Sequence, residues 1–232
     1  MNICVIPARG GSKRIPKKNI KKFLGKPIIA YSIQVALKSK LFDAVLVSTD
    51  DNEIAKVAIE YGAIVPFIRP KELSDDFTST SDVIKHAINW YLEQNIEINY
   101  TCCIYATAPF IKQQYLEKGF KMLQDSDKSF AFSVTSFSFP IQRAIKIKDG
   151  IVSMFYPQNF MTRSQDLEEA YHDAGQFYWG KAKAFLNDEI MFSERAIPIV
   201  LPRYLVQDID TLEDWQRAEL MHKVLNKNSV TS

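Results

Sequence analysis

Ile3-Cys4-Val5-Ile6-Pro7-Ala8-Arg9-Gly10-Gly11-Ser12-Lys13-Arg14-Ile15-Pro16-Lys17-Lys18-Asn19 is the stretch that decides the fold. Its first residues are apolar and rich in β-branching, the pattern of a strand covered on both faces. The loop that follows carries adjacent glycines and the cations Arg9, Lys13, Arg14, Lys17 and Lys18. Glycines let a backbone take positive φ and bring its N–H groups close to a ligand. An arginine forks two donors onto phosphate oxygens, and lysines add compact positive charge. A buried strand opening into such a loop suits a polyphosphate; the alternative is a solvated basic loop that binds nothing in particular. The chain has neither the G-x-x-x-x-G-K-[ST] loop nor the G-x-G-x-x-G pattern. Asp50, at the end of the second strand candidate, lies too far downstream to be the ribose-binding acid of the latter.

Outward from this segment, short apolar runs alternate with helical patterns, which predicts an α/β fold built on a mostly parallel sheet. The expected strands are Ile3–Pro7, Ala44–Ser48, Ile64–Ile68 and Tyr100–Tyr105, and the expected helices are Ile28–Leu37, Ile54–Tyr61 and Ser81–Gln94. In the last of these, Val83, Ala87 and Tyr91 run beside Ile84, Ile88 and Leu92, a stripe wide enough to cover a sheet. Ser81 is its expected N-cap, with Asp82 in the first turn. After the strand Phe130–Thr135 the rhythm changes. Ala144–Ile147 and Ile151–Phe155 flank Asp149-Gly150, a strong hairpin turn. Residues 136–171 therefore read as an antiparallel insertion in a domain made of 1–135 and 172–232. Its aromatic residues Phe137, Phe139, Phe155, Tyr156 and Phe160 suit either an association surface or packing on the parent domain. The α/β rhythm resumes with Gln176–Trp179, Lys181–Leu186 and Ile197–Leu201. A final helix, Leu212–Asn226, carries Leu212, Trp215, Ala218, Met221 and Leu225 on one face.

Composition bounds the function. With 232 residues, 47% hydrophobic content and a net charge of +2, the chain has ample core and no global field for nucleic acid or an anionic membrane. The absence of an export segment and of any ~20-residue apolar run predicts a cytoplasmic protein. Cys4, Cys102 and Cys103 lack metal-ligand spacing, and neighbours on a strand point to opposite faces, so all three are expected as buried thiols.

The second chemical feature is Gln207-Asp208-Ile209-Asp210-Thr211. In extended backbone both carboxylates point one way and suit Mg²⁺, which takes one or two carboxylates plus substrate phosphates. The competing reading is helix capping by Asp210 or Thr211 ahead of Glu213 and Asp214. Arg69-Pro70 and the polar run to Thr80 can read a base edge or form a plain surface loop. No nucleophile-elbow context occurs, so covalent catalysis is not invoked.

Together these motifs resemble the CMP-sialic acid synthetase family, and within it the branch that acts on pseudaminic acid. The likeness rests on Ile6–Lys13 with Lys18-Asn19, Val47-Ser48-Thr49-Asp50, Arg69-Pro70, Ala106-Thr107-Ala108-Pro109-Phe110, Tyr171–Trp179 and Asp208–Asp210. The resemblance implies a Rossmann-like nucleotidyltransferase, a three-layer sandwich whose small insertion makes a homodimer. It implies that CTP and an acidic nine-carbon 2-keto sugar give CMP-sugar and pyrophosphate, with Mg²⁺ as cofactor. Carried over by position, Arg9, Gly10, Gly11, Ser12, Lys13, Lys18 and Asn19 hold the nucleotide's phosphates and ribose. Arg69, Thr78 and Thr80 surround cytosine, and Asp208 and Asp210 bind the metal. Tyr105, His172 and Gln176 meet the sugar, joined by Gln142 and Arg163 of a second copy's insertion. Lys18, Arg9, Asp208 and Asp210 carry the catalytic expectation. The chain departs from sialic acid members at Tyr105–Pro109, His172 and Gln142, all on the sugar side. CTP is thus the firmer expectation, and synthetases for CMP-N-acetylneuraminate or an eight-carbon keto acid remain the alternatives. A noncatalytic CTP-binding module is the alternative of a different class.

Overall fold

The computed structural model describes residues 1–228. Its elements in chain order are β1 (Asn2–Pro7), β2 (Lys22–Phe23), β3 (Lys26–Pro27), α1 (Ile29–Ser39), β4 (Ala44–Ser48), α2 (Asn52–Glu60), α3 (Thr80–Glu93), β5 (Tyr100–Ile104) and α4 (Gln113–Gln124). They continue with β6 (Phe130–Ser136), β7 (Ile145–Lys148), β8 (Ile151–Met154), β9 (Tyr171–Lys181), α5 (Ala182–Leu186), β10 (Ala196–Val200) and α6 (Leu212–Asn228).

Six strands form one sheet in the order β10-β6-β9-β5-β1-β4. All neighbours are parallel except β9, which runs antiparallel to both β5 and β6. Both faces are covered, as the unbroken apolar strands predict. Along β1, Cys4 and Ile6 join the core under α1, α2 and α4, while Ile3 and Val5 join the core under α3 and α5. Cys102 and Cys103 divide between the two cores in the same way, and all three cysteines are buried free thiols. Burial pushes their thiol pKa values up, so they act as small hydrophobes.

Four expectations need correction. Ile64–Ile68 makes a single bridge, Leu46 to Ile64, and is not a strand. Pro66 has no N–H for a ladder, and Ile64 and Ile68 are exposed. The cap of α3 is Ser79, whose hydroxyl accepts from the Asp82 N–H at 3.1 Å, two residues before the expected Ser81. Leu92, expected on the buried stripe of that helix, is exposed. The segment expected as Gln176–Trp179 belongs to an eleven-residue strand, because β9 pairs with β6 as far as Ser136 and Tyr171. Register slips between Phe132 and Val134, beside Gly175 at φ +60°.

Residues 137–170 leave the sheet between these paired strand ends and contain the β7–β8 hairpin around Asp149-Gly150. No residue of either short strand is buried.

Candidate active site

The loop after β1 is shaped from its ends. The Ala8 N–H donates to the Ser48 carbonyl at 2.9 Å, and Gly10 N–H donates to Asp50 Oδ1 at 2.9 Å. The buried Asn19 closes it, its side-chain amide donating to the Arg9 carbonyl at 3.0 Å. Neither Gly10 nor Gly11 adopts positive φ, contrary to expectation; the left-handed residue is Lys17 at φ 52°. Gly10 is required for space instead, since a Cβ there would lie 2.8 Å from Asp51 Oδ2. Asp51 caps α2 by accepting from the Glu53 and Ile54 N–H groups and so cannot yield freely.

The acid pair lies almost two hundred residues away in sequence, yet it meets this loop. Lys18 Nζ donates to the Ile209 carbonyl at 2.7 Å and stands 3.3 Å from Asp210 Oδ1. Arg14 reaches Asp210 Oδ2 at 3.0 Å. What brings the two segments together is a third apolar cluster in which Ile15, from among the cations, and Ile209, from between the acids, are buried with Phe23, Phe110 and Trp215. A fully buried isoleucine contributes roughly 1.5–3 kcal/mol. Exposed ion pairs contribute only about 0.2–1 kcal/mol. The isoleucines are therefore the anchors, and the ion pairs orient what the anchors have gathered.

The result is a cleft of about 550 Å³ lined by Arg9, Ser12, Lys13, Arg14, Lys18, Asn19, Arg69, Thr78, Thr80, Tyr105 and Asp210, among others. Arg69 is buried, bonded through Nε to Ser74 Oγ at 3.2 Å, with Asp50 only at 4.0 Å. Burial draws its pKa down against the pull of Asp50, with Arg9 adding to the fall. A desolvated, weakly paired cation of this kind favours an electron-rich ligand. In the same cleft, the Thr80 and Tyr105 hydroxyls are 3.2 Å apart.

Thr211, one of the two expected caps, caps α6; neither carboxylate of the pair does, although the Asp210 N–H donates to Asp214 Oδ2 at 3.2 Å. Thr211 Oγ1 accepts from the Asp214 N–H at 3.1 Å, and Asp214 Oδ2 accepts from the Thr211 N–H at 2.8 Å, a closed capping box. Asp208 is exposed as a residue but its carboxyl is crowded. Desolvation first, and Asp210 second, push that carboxyl above the ordinary range. Among the described residues no three His, Cys, Asp or Glu side chains gather to cage a metal. Asp210 lines the polyphosphate-sized cleft and Asp208 lies two residues before it, hard oxygen ligands that fit a Mg²⁺ completed by water and substrate phosphates.

Several expected residues lie elsewhere. Gly10, Gly11 and Asp208 are not among the cleft's lining. Gln176 is buried, its side-chain amide committed to the Leu205 carbonyl and its own carbonyl accepting from the Tyr105 N–H, so it braces the wall behind Tyr105. His172 is exposed, packed edge-on against Phe137 with centroids 4.8 Å apart. Gln142 donates to the Glu168 carbonyl at 3.1 Å, and Arg163 pairs with Asp166 at 2.7 Å, both within residues 137–170. Arg14, read only as one of the loop's cations, and Asp50 and Asp76, given no ligand role by the sequence, are drawn in. Asp76 bridges Arg9 and Lys13. Only the clustering of charge near Arg14 and the doubled acid Asp75-Asp76 hinted at this.

A family model described as "Cytidylyltransferase" matches residues 3–207. The chain is 47% identical to the pseudaminic acid cytidylyltransferase of Campylobacter jejuni subsp. jejuni serotype O:2, over 98% of this chain and 99% of that protein. It is 34% identical to the CMP-N,N'-diacetyllegionaminic acid synthase of Legionella pneumophila over 94% of each. Its backbone matches a CMP:2-keto-3-deoxy-manno-octonic acid synthetase complexed with CTP, at TM-score 0.69 and 16% identity, over 96% of this chain and 98% of the other; that likeness bears on the fold. A nucleotide-sized cationic cleft at the end of β1, in a chain so closely matched along its length, has one account: the chain belongs to the cytidylyltransferase family and is a nucleotidyltransferase.

Proposed function

We propose that this chain transfers the cytidylyl group of CTP to pseudaminic acid, a nine-carbon 2-keto acid sugar, giving the CMP-sugar and pyrophosphate. The observation that carries this reading is the meeting of Lys18 and Arg14 with Asp210 beside the cleft that also holds Arg9, Arg69 and Thr80. Near full-length identity to pseudaminic acid cytidylyltransferases supports the choice of sugar.

In this reading Arg9, Ser12, Lys13 and Lys18 bind the triphosphate, and Arg69, Thr78 and Thr80 surround a pyrimidine. The sugar's C2 hydroxyl attacks the α-phosphorus in line, a new P–O bond forms as the hydroxyl gives up its proton to water, and the bond to the bridging oxygen breaks to release pyrophosphate. Lys18 neutralises charge at the α-phosphate while Arg9 steadies the leaving group. Positioning and electrostatics supply most of the acceleration in transfers of this kind. Asp208 and Asp210 would hold Mg²⁺, which when bound supplies charge neutralisation on the phosphates. Tyr105, His172 and Gln176 belong to the sugar side, the last through the wall that it braces.

The exposed apolar residues Phe139, Ile147, Ile151 and Phe160 of the 136–171 segment support a homodimer. In that assembly Gln142 and Arg163 of a second copy complete the sugar pocket. No helix among the described residues is long and apolar enough to cross a membrane, which is compatible with a cytoplasmic enzyme.

The test is pyrophosphate release from CTP with pseudaminic acid, N-acetylneuraminic acid and an eight-carbon keto acid offered in turn. Turnover is expected with the first, and Lys18→Ala is expected to lower kcat about 10²–10³-fold, as removal of one preorganised donor does. Turnover confined to another sugar would replace the substrate. No pyrophosphate with any of them would leave a CTP-binding module.

A further inference from the structure

Every cation of the phosphate loop has a carboxylate partner. Lys17 pairs with Glu53, Arg14 and Lys18 share Asp210, and Arg9 and Lys13 share Asp76. Asp210 and Asp76 each set one oxygen on each of two cations, Asp210 at 3.0 and 3.3 Å and Asp76 at closer range. One oxygen of Asp76 is 2.6 Å from Arg9 Nη1 and the other is 2.5 Å from Lys13 Nζ, so the carboxylate spans two cations as two oxygens of one phosphate would. Arg9 Nη1 also donates to the Asp75 carbonyl at 2.8 Å.

The segment presenting Asp76 is built rather than loose. Asp75 Oδ1 accepts from the Phe77 N–H at 2.9 Å, the Thr78 N–H at 2.7 Å and the Thr78 hydroxyl at 2.7 Å. Ser79 then caps α3. The turn that carries Thr78 and Thr80 to the base side of the cleft is thus tied by Asp76 to the phosphate side. Hydrogen bonds from Lys13 and Arg9 hold the Asp76 carboxyl below the usual carboxylate range, so it remains an anion throughout the neutral range.

We propose that Asp76 is an internal competitor for the outer phosphates: it occupies the Arg9–Lys13 seat in the free enzyme, is displaced by a polyphosphate chain, and refills the seat as pyrophosphate leaves. This rests on the cytidylyl-transfer reading for the identity of the ligand. A nucleoside monophosphate, whose only phosphate belongs at Lys18, has no cause to displace Asp76. A triphosphate or free pyrophosphate must do so, and doing so removes the carboxylate's two ties to the phosphate loop, leaving the Arg9 hydrogen bond to the Asp75 carbonyl. Asp76 thereby weakens binding of exactly those ligands that reach both cations and speeds the departure of the leaving group.

The experiment is equilibrium titration of wild type, Asp76→Asn and Asp76→Glu with pyrophosphate, CTP and CMP, with and without Mg²⁺. Two solvent-exposed ion pairs set the scale, so Asp76→Asn should bind pyrophosphate and CTP about 3- to 10-fold more tightly, with CMP changed less than about 2-fold. Asp76→Glu, which keeps the charge, should stay near wild type. Pyrophosphate inhibition of turnover should strengthen in Asp76→Asn in step with the binding change. Unchanged or weaker pyrophosphate binding in Asp76→Asn would overturn the proposal, and weakening only with Mg²⁺ would make Asp76 a metal ligand instead. A wild type that binds neither CTP nor pyrophosphate would sink the cytidylyl-transfer reading as well. Normal wild-type binding with an indifferent Asp76→Asn would sink this inference alone.

Discussion

Gly10 illustrates how much one residue of this loop is asked to do. Its N–H holds Asp50 while its missing Cβ makes room for Asp51, so the strand-ending acids grip the loop from both sides. Gly10→Ala should push Asp51 off the end of α2 or shift the loop, at the ~1 kcal/mol of a lost N-cap. A matched drop in CTP affinity is expected, because Arg9 adjoins the displaced residue; chemical denaturation and nucleotide titration read the two effects. Gly11, with open space around the position of a Cβ, should accept alanine with little loss of stability. Residue types alone raised the expectation of a phosphate cradle in this loop. The reason for the first glycine was not legible, because Asp51 approaches only through the pairing of β1 with β4.

At the scale of elements, α6 seals the cluster beneath the cleft. Trp215 and Ala218 are buried as the helical pattern predicts, whereas Leu212 is exposed. His222, on the same helix, lies among Phe23, Tyr31 and Phe110 at ring distances of 5.6, 5.2 and 5.7 Å, with its Nδ1 2.9 Å from the Asn226 amide. Burial first, then Lys112 and Lys26, draw its pKa below the ordinary histidine value. The unfolded chain therefore takes up this proton before the folded one, and stability should fall as pH drops below about 6.5. His86, beside Phe67 and likewise lowered by burial and by Arg69, acts in the same direction. Urea unfolding at pH 7.5 and 5.5 should show a smaller loss for His222→Phe than for wild type; equal losses would remove His222 from the account. Helical periodicity placed α6 and its core face well. It could not show that the face closes over Phe23 and Ile15 from the opposite end of the chain.

Across the whole molecule, the unresolved physical demand is the exposed hairpin. A two-stranded ribbon is marginal by itself. Here β7 and β8 form a separate sheet with Ile147 and Ile151 each about 70% exposed. Pairing with a second copy would cover them. Ile147→Glu with Ile151→Glu should then turn a dimer into a monomer by light scattering and lower turnover if the second copy completes the sugar pocket; a monomeric wild type would refute the assembly. Local pattern by itself determined β1, β4, β5 and β6, the helices α1, α2, α3 and α6, the basic loop and the D-x-D, since period and residue type are carried in short windows, whereas α4 went unread. Tertiary structure alone decided that β9 wedges antiparallel into the sheet, that Ile15 and Ile209 share one apolar cluster, and that Asp76 spans Arg9 and Lys13. Those contacts join residues distant in the chain, and their partners are chosen by which apolar surfaces remain to be buried once the sheet has formed.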